Sequence, residues 1–95
     1  MKEERIGIVG HYYNKIGVAA IILEGKLEVG DTIHIKGHAT DFTQKMESIQ
    51  IENRNIERAK ECDNIGIKVK EHAREYDVVY TIKWRKNDYL INRKL

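Results

Sequence analysis

The sequence predicts an all-β protein, either a small β-barrel or a sandwich, built around one core. Apolar and polar residues alternate with a period of two in several segments, most cleanly at residues 32–36. Glycines and short polar turns divide the 95 residues into pieces of strand length. No segment combines the length and the apolar spacing of a stable amphipathic helix. These three observations together indicate the all-β class.

Six segments have the composition of strands. The second of them is apolar on both faces, which predicts a central strand that is covered on each side. The fourth is predicted as one long strand with a bulge near Met46 to Ile49. Gly25 and Gly30, in the connection after the second strand, are predicted to adopt positive φ angles. The six predicted strands are residues 5–13, 17–24, 32–36, 42–52, 64–69 and 78–84.

Length and composition predict one cytoplasmic domain at residues 1–84, followed by a tail at residues 85–95. The longest apolar run, residues 16–23, is far shorter than the roughly 20 residues that span a bilayer. The single cysteine, Cys62, fits a reducing compartment. A net charge of +2 does not demand a nucleic-acid partner.

Residues 16–37 resemble the signature of domain two of elongation factor Tu and related translation GTPases. In that family a strand ends in a Gly-x-Leu/Ile-x-x-Gly-Asp/Glu turn, which Gly25 to Asp31 match here. Residues 46–50, 59–67 and 74–80 are similar to three later motifs of the same domain. The resemblance therefore covers nearly the whole chain. Cys62 and Tyr76 stand where that family usually has glycine.

The resemblance implies a closed or nearly closed β-barrel of the translation-protein domain two type. It does not imply GTP as a ligand, because the chain lacks the Gly-x-x-x-x-Gly-Lys-Ser/Thr loop that holds the phosphates. The same barrel resembles the C-terminal domain of U32 peptidase-like proteins. Because one fold serves many functions, these resemblances alone do not specify an activity.

No catalytic or metal-binding pattern is present in the sequence. His34 and His38 straddle the end of a predicted strand, so their spacing does not direct both rings to one zinc ion. Cys62 lies in a predicted tight turn and has no recognisable His/Asp arrangement to activate it. We therefore expect neither an enzyme nor a bound metal or cofactor.

An aromatic and basic group at the end of the first strand is the candidate binding site. Tyr12 and Tyr13 point to opposite faces of the strand, so at least one ring is exposed or only partly buried. An exposed tyrosine could stack on a base or anchor a peptide, although packing at the end of the barrel is its commoner role. The candidate binding residues are Arg5, His11, Tyr12, Tyr13, Lys15, Lys36, His38 and Lys45.

Two functions are compatible with these sequence features. The first is a non-catalytic, translation-factor-like module that binds ribosomal or transfer RNA, or a translation or tRNA-processing protein. The alternative is an accessory barrel that contacts a U32 peptidase-like enzyme. The tail at residues 85–95 mixes basic and apolar side chains, which favours packing on the barrel or a protein contact. No membrane partner is expected.

Overall fold

The computed structural model describes residues 2–83, and these residues form strands and turns without a helix. All of the strand pairs are antiparallel. The predicted all-β class is therefore confirmed. Trp84 and the tail predicted at residues 85–95 lie outside the described residues. The strands are β1 (Lys2–Tyr13), β2 (Val18–Leu23), β3 (Leu27–Glu28), β4 (Thr32–Lys36), β5 (Asp41–Lys45), β6 (Ile49–Ile51), β7 (Arg54–Ile56), β8 (Arg58–Ala59), β9 (Asn64–Lys68) and β10 (Val78–Lys83).

Eight strands form one sheet in the order β5-β4-β10-β1-β2-β9-β6-β7, and β3 pairs with β8 in a separate ribbon. Within the described residues no ladder joins β5 to β7, so the prediction of a closed barrel is not confirmed. The sheet nevertheless curls around one core. Phe42 from β5 and Ile49 from β6 belong to the same buried cluster as Ile21 from the central strand β2.

The predicted long strand at residues 42–52 is wrong. The strand is interrupted at Met46. The Met46 N–H donates to the Asp31 carbonyl at 2.7 Å, and the Met46 carbonyl accepts from the Gly30 N–H at 2.8 Å. Met46 is thereby tied to the connection between β3 and β4, with its side chain buried in the core. The break separates β5, at one edge of the sheet, from β6 near the other edge.

The prediction that β2 is covered on both faces is correct for only one face. Ala19, Ile21 and Leu23 point inward and are buried, as expected for a central strand. On the outer face Val18 and Ala20 are only half-buried, and Ile22 is exposed. The structure therefore covers β2 on its inner face but not on its outer face.

Several turns adopt the left-handed backbone conformation. Gly30 has a φ of 100°, as predicted, but Gly25 does not have a positive φ. A side chain at Gly25 would instead lie against Ile6, at 3.4 Å from its Cγ2 atom. Cys62 and Tyr76 adopt φ angles of 74° and 72°, so both keep the conformation that glycine would favour at these positions. Between residues 2 and 83, no helix has the length and apolar character needed to cross a membrane.

Candidate partner-binding surface

The turn between β1 and β2 presents several of the predicted binding residues at one end of the sheet. The N–H groups of Ile16 and Gly17 both donate to the Tyr13 carbonyl, at 3.2 and 2.9 Å. Gly17 has a φ of 65°, which closes this four-residue turn. A shallow depression of about 260 Å³ lies here. Its lining residues are His11, Tyr12, Tyr13, Asn14, Lys15 and Ile16.

The two tyrosines at the end of β1 point to opposite faces, as predicted. The Tyr12 ring is half-buried against the core and packs against the His72 ring, with ring centroids 4.4 Å apart and the ring planes tilted by 40°. The Tyr13 ring is exposed and meets the His11 ring edge-on at 4.4 Å. His11 Nδ1 also lies 3.1 Å from Glu75 Oε1. Tyr13 and His11 therefore form an exposed aromatic pair, whereas Tyr12 packs.

The segment before β10 is held against β1 by its backbone. The Tyr76 N–H donates to the Val9 carbonyl, and the Val9 N–H donates to the Asp77 carbonyl, each at 2.8 Å. The Arg74 N–H donates to Asp77 Oδ2, also at 2.8 Å. These bonds fix Tyr76 beside β1 while 79% of its surface is exposed. The backbone of Tyr76 is thus held in place, and exposed aromatic side chains are common anchors in protein interfaces.

The remaining predicted binding residues are dispersed. Arg5 makes a two-bond contact with Glu24, with Nε to Oε1 at 2.9 Å and Nη2 to Oε2 at 3.1 Å. This ion pair raises the pKa of Arg5 through its hydrogen bond and its charge. Lys36 ends β4, and His38 follows in the turn before β5. Lys45 ends β5 opposite Thr32, at the far end of that ladder.

A polar cluster lies on the outer face of β4. His34 is bonded through Nδ1 to Glu3 of β1, and its Nε2 lies 2.5 Å from Asp41 Oδ1 of β5. Burial is the largest single influence on the pKa of His34 and lowers it, but the hydrogen bonds and charges of the two carboxylates outweigh burial. The pKa of His34 is therefore raised above its usual value of 6.5. Protonated His34 joins three strands, because both of its ring nitrogens then donate.

This cluster predicts a pH-dependent stability. Because the folded-state pKa of His34 is raised, its contribution is fully present below the unfolded pKa of about 6.5 and is lost as pH rises through the folded pKa. We expect the urea midpoint of the wild-type protein to fall between about pH 6 and pH 9. The His34→Gln variant should show a smaller fall over the same range. Equal falls in the two proteins would contradict the role of His34.

A larger cavity of about 920 Å³ lies at the opposite end of the sheet, beside the β3–β8 ribbon. Its lining mixes acidic and basic side chains with the apolar Ile6, Leu27 and Ala59. Thr81 lines it as well, and within residues 2–83 its buried Oγ1 atom has no hydrogen-bond partner. No group of three or more His, Cys, Asp or Glu residues in the described part is arranged to hold a metal ion.

Sequence reasoning missed three exposed residues outside the β1–β2 turn. Ile22 and Lys68 lie on the outer faces of β2 and β9, and Tyr76 lies in the turn before β10. The apolar character of β2 on both faces is the available signal for Ile22. That pattern predicts burial on both sides, but it fits equally well an outer face that is free to bind a partner.

Comparisons with known proteins identify solved structures that have a similar fold. No protein-family model matches the chain. Two crystal structures match it well. Both are of the C-terminal domain of a U32 peptidase-like protein from Geobacillus thermoleovorans. One has a TM-score of 0.79 at 24% identity, covering 84% of this chain and 93% of that domain. The other, a selenomethionine variant, has a TM-score of 0.76 at 25% identity, covering 80% of this chain and 96% of that domain.

Curated relatives carry protease names. The chain is 39% identical over 79 residues to an uncharacterized protease of Methanocaldococcus jannaschii, a match that covers 82% of this chain. It is also 39% identical over 71 residues to a collagenase of Porphyromonas gingivalis, a match that covers 73% of this chain. These matches span only 19% and 20% of the two relatives. The resemblance to U32 peptidase-like domains is thus supported, and the resemblance to translation GTPases is not.

Proposed function

We propose that this chain is a non-catalytic accessory domain that binds a U32 peptidase-like protein. One observation carries the proposal: the fold matches almost the whole of a domain that occurs at the C-terminus of a U32 peptidase-like protein. Relatives that carry protease names add support at 39% identity over most of this chain. A domain with its own core can contact the remainder of such a protein across an inter-domain interface.

The side chains of the described residues favour binding over catalysis. Cys62 is exposed in a left-handed turn, and no hydrogen bond to a histidine is present to activate its thiol. His11 contacts Glu75, but no nucleophile is bonded to its other ring nitrogen within residues 2–83. In the relatives, about four fifths of the length lies outside the match. The proposal assigns proteolytic chemistry to that remainder and binding to this domain.

The test uses the Methanocaldococcus jannaschii protease in two forms, intact and with the segment that matches this chain deleted. We expect the chain to bind the deleted form with a Kd of about 1–10 μM and to bind the intact form more weakly, because the resident segment competes for the same contact. Light scattering after gel filtration and an anisotropy titration measure this binding. A chain that binds neither form would refute the proposal.

Transfer RNA provides the contrasting ligand in the same assay. RNA phosphates held by lysine and arginine would give an affinity whose logarithm falls linearly with the logarithm of the salt concentration. The proposal expects no such binding at about 0.15 M salt. Tight, salt-dependent tRNA binding without binding to the deleted protease would favour the translation-related function instead.

A further inference from the structure

The cavity beside the β3–β8 ribbon is lined in part by a buried hydroxyl group that no described residue bonds. Thr81 is 1% exposed, and its Oγ1 atom has no hydrogen-bond partner within residues 2–83. Thr81 pairs with Ile33 of β4, which is fully buried, so the Thr81 side chain faces the interior of the curled sheet. Most buried polar atoms have a partner, because an unmade hydrogen bond is costly. The Thr81 hydroxyl therefore points to a group that bonds it from the cavity.

The charged side chains around this cavity carry an excess of negative charge. Three of the acidic groups are already engaged, one with Arg58 and two with backbone N–H groups. Glu4 and Glu61 make no side-chain hydrogen bond or ion pair within residues 2–83. An occupant with a net positive charge is therefore favoured. The acidic lining residues are Glu4, Glu28, Asp31, Glu61 and Asp63, and the basic ones are Lys26, Arg58 and Lys60.

The cavity places a carboxylate, a hydroxyl group and apolar surface close together. Glu4 of β1 pairs directly with Thr81 of β10, so their side chains lie on the same face of the sheet. Ile6, Leu27 and Ala59 supply the apolar part of the lining. The volume of about 920 Å³ lies near the upper end of the range for ligand pockets, roughly 300–1,000 Å³. A polypeptide segment with both basic and apolar side chains fits these features.

The sequence that follows β10 has this composition. Residues 84–95, which lie outside the described part, contain four basic residues and one acidic residue. They also contain five large apolar or aromatic residues. Thr81 lines the cavity only two residues before Lys83, where β10 ends, so residue 84 follows the sheet close to the cavity. A short connection of this kind gives an effective concentration in the mM range, at about which even weak contacts lead to binding.

We propose that residues 84–95 bind in the cavity beside the β3–β8 ribbon. Apolar side chains of the segment pack near Ile6 and Leu27, a polar group of the segment bonds Thr81 Oγ1, and a basic side chain meets Glu4 or Glu61. Another protein that uses the cavity would first have to displace this segment. The inference does not depend on the proposed function, and its test uses this chain alone.

Hydrogen exchange of the full chain, followed by NMR, measures whether the segment is bound. The amides of a free chain end exchange at rates close to those of an unstructured peptide. We expect the amides of residues 89–91 to exchange at least about tenfold more slowly than that, because binding within one chain is favoured by the short connection. Exchange at the unstructured rate throughout residues 85–95 would overturn the proposal.

The single cysteine reports where the segment binds. Cys62 is exposed, and its neighbours Glu61 and Asp63 both line the cavity. A nitroxide attached to Cys62 should reduce the amide signals of residues 89–91, and chemical reduction of the nitroxide should restore them. A segment that is protected from exchange but keeps its signals beside the active nitroxide would bind elsewhere. That result would overturn the assignment to this cavity.

Two matched charge reversals test the electrostatic contribution. Glu61 and Glu71 are both exposed residues in turns, but only Glu61 lines the cavity. We expect Glu61→Lys to lower the protection of residues 89–91 by about three- to tenfold at low salt, and by less as the salt concentration rises. Glu71→Lys should lower it by less than about twofold. Equal effects of the two reversals would contradict binding at the cavity.

The buried hydroxyl is tested by Thr81→Val, which keeps the shape of the side chain and removes the oxygen. If the segment bonds Oγ1, Thr81→Val should lower the protection of residues 89–91 by at least about threefold. Unchanged protection together with a raised urea midpoint would show that the hydroxyl is unsatisfied in the native protein, and would overturn this contact. If Thr81→Val fails to fold, which circular dichroism would reveal, Glu61→Lys still decides the proposal.

Discussion

A Gly37→Ala variant should lose about 2–4 kcal/mol of the free energy of unfolding. A Cβ atom at residue 37 would lie 1.8 Å from Asp77 Oδ1 and 2.6 Å from Asp77 Cγ, which is shorter than any tolerated contact. The Asp77 side chain cannot simply move away, because Asp77 is only 4% exposed and its Oδ2 accepts the Arg74 N–H. Urea unfolding followed by circular dichroism measures the loss.

A double-mutant cycle identifies the cause of that loss. In the Asp77→Ala background the clashing carboxylate is absent, so Gly37→Ala should cost less than about 1 kcal/mol. Asp77→Ala alone is also destabilising, because it leaves the Arg74 N–H without its acceptor. If Gly37→Ala costs the same with and without Asp77, the contact between the two residues does not explain its effect.

The close approach of Gly37 to Asp77 also affects the segment that carries Tyr76. Gly37 follows β4, and Asp77 is adjacent to the exposed Tyr76, so the contact joins the β4–β5 turn to the segment that carries the tyrosine. The carbonyl of Asp77 also accepts the Val9 N–H of β1. If Asp77 moves to accommodate a Cβ atom at residue 37, Tyr76 should loosen as stability falls, and the affinity for a partner should fall as well.

The all-β class followed from local patterns, which is why sequence reasoning found it. Alternation over a few residues identified β4, whose Ile33 and Ile35 point inward as expected. The strand break at Met46 was missed because its cause is a pair of hydrogen bonds to the β3–β4 connection, more than ten residues earlier. Closure of a barrel depends on pairing between edge strands that are far apart in sequence. Local sequence patterns therefore could not predict whether the sheet closes.

The candidate surface was partly predictable, because some of its features follow from local strand geometry. Strand geometry alone predicted that Tyr12 and Tyr13 would point to opposite faces. Their contacts were not predictable, since the partner of His11 is Glu75, a residue 64 positions away in sequence. The cluster of His34 with Glu3 and Asp41 was missed in the same way, because β1, β4 and β5 meet only through the order of strands in the sheet.

Adjacent alanine substitutions in β2 should differ widely in effect. Ile21 is 1% exposed and faces the core, with Val9 and Ile65 as its register partners on the two neighbouring strands. Ile21→Ala should lower the free energy of unfolding by about 2–4 kcal/mol, because it removes buried methyl groups and leaves a cavity. Ile22→Ala, one residue later on the outer face, should cost no more than about 1 kcal/mol.

The comparison is informative because the two variants share almost everything except burial. Both replace isoleucine with alanine in the same central strand, so changes in strand propensity and in the unfolded chain are nearly equal and cancel in the difference. Urea unfolding of the two variants therefore isolates the environment of each face. If Ile22→Ala proved as destabilising as Ile21→Ala, the outer face would be packed in the isolated chain. That face of β2 could not then be free to receive a partner.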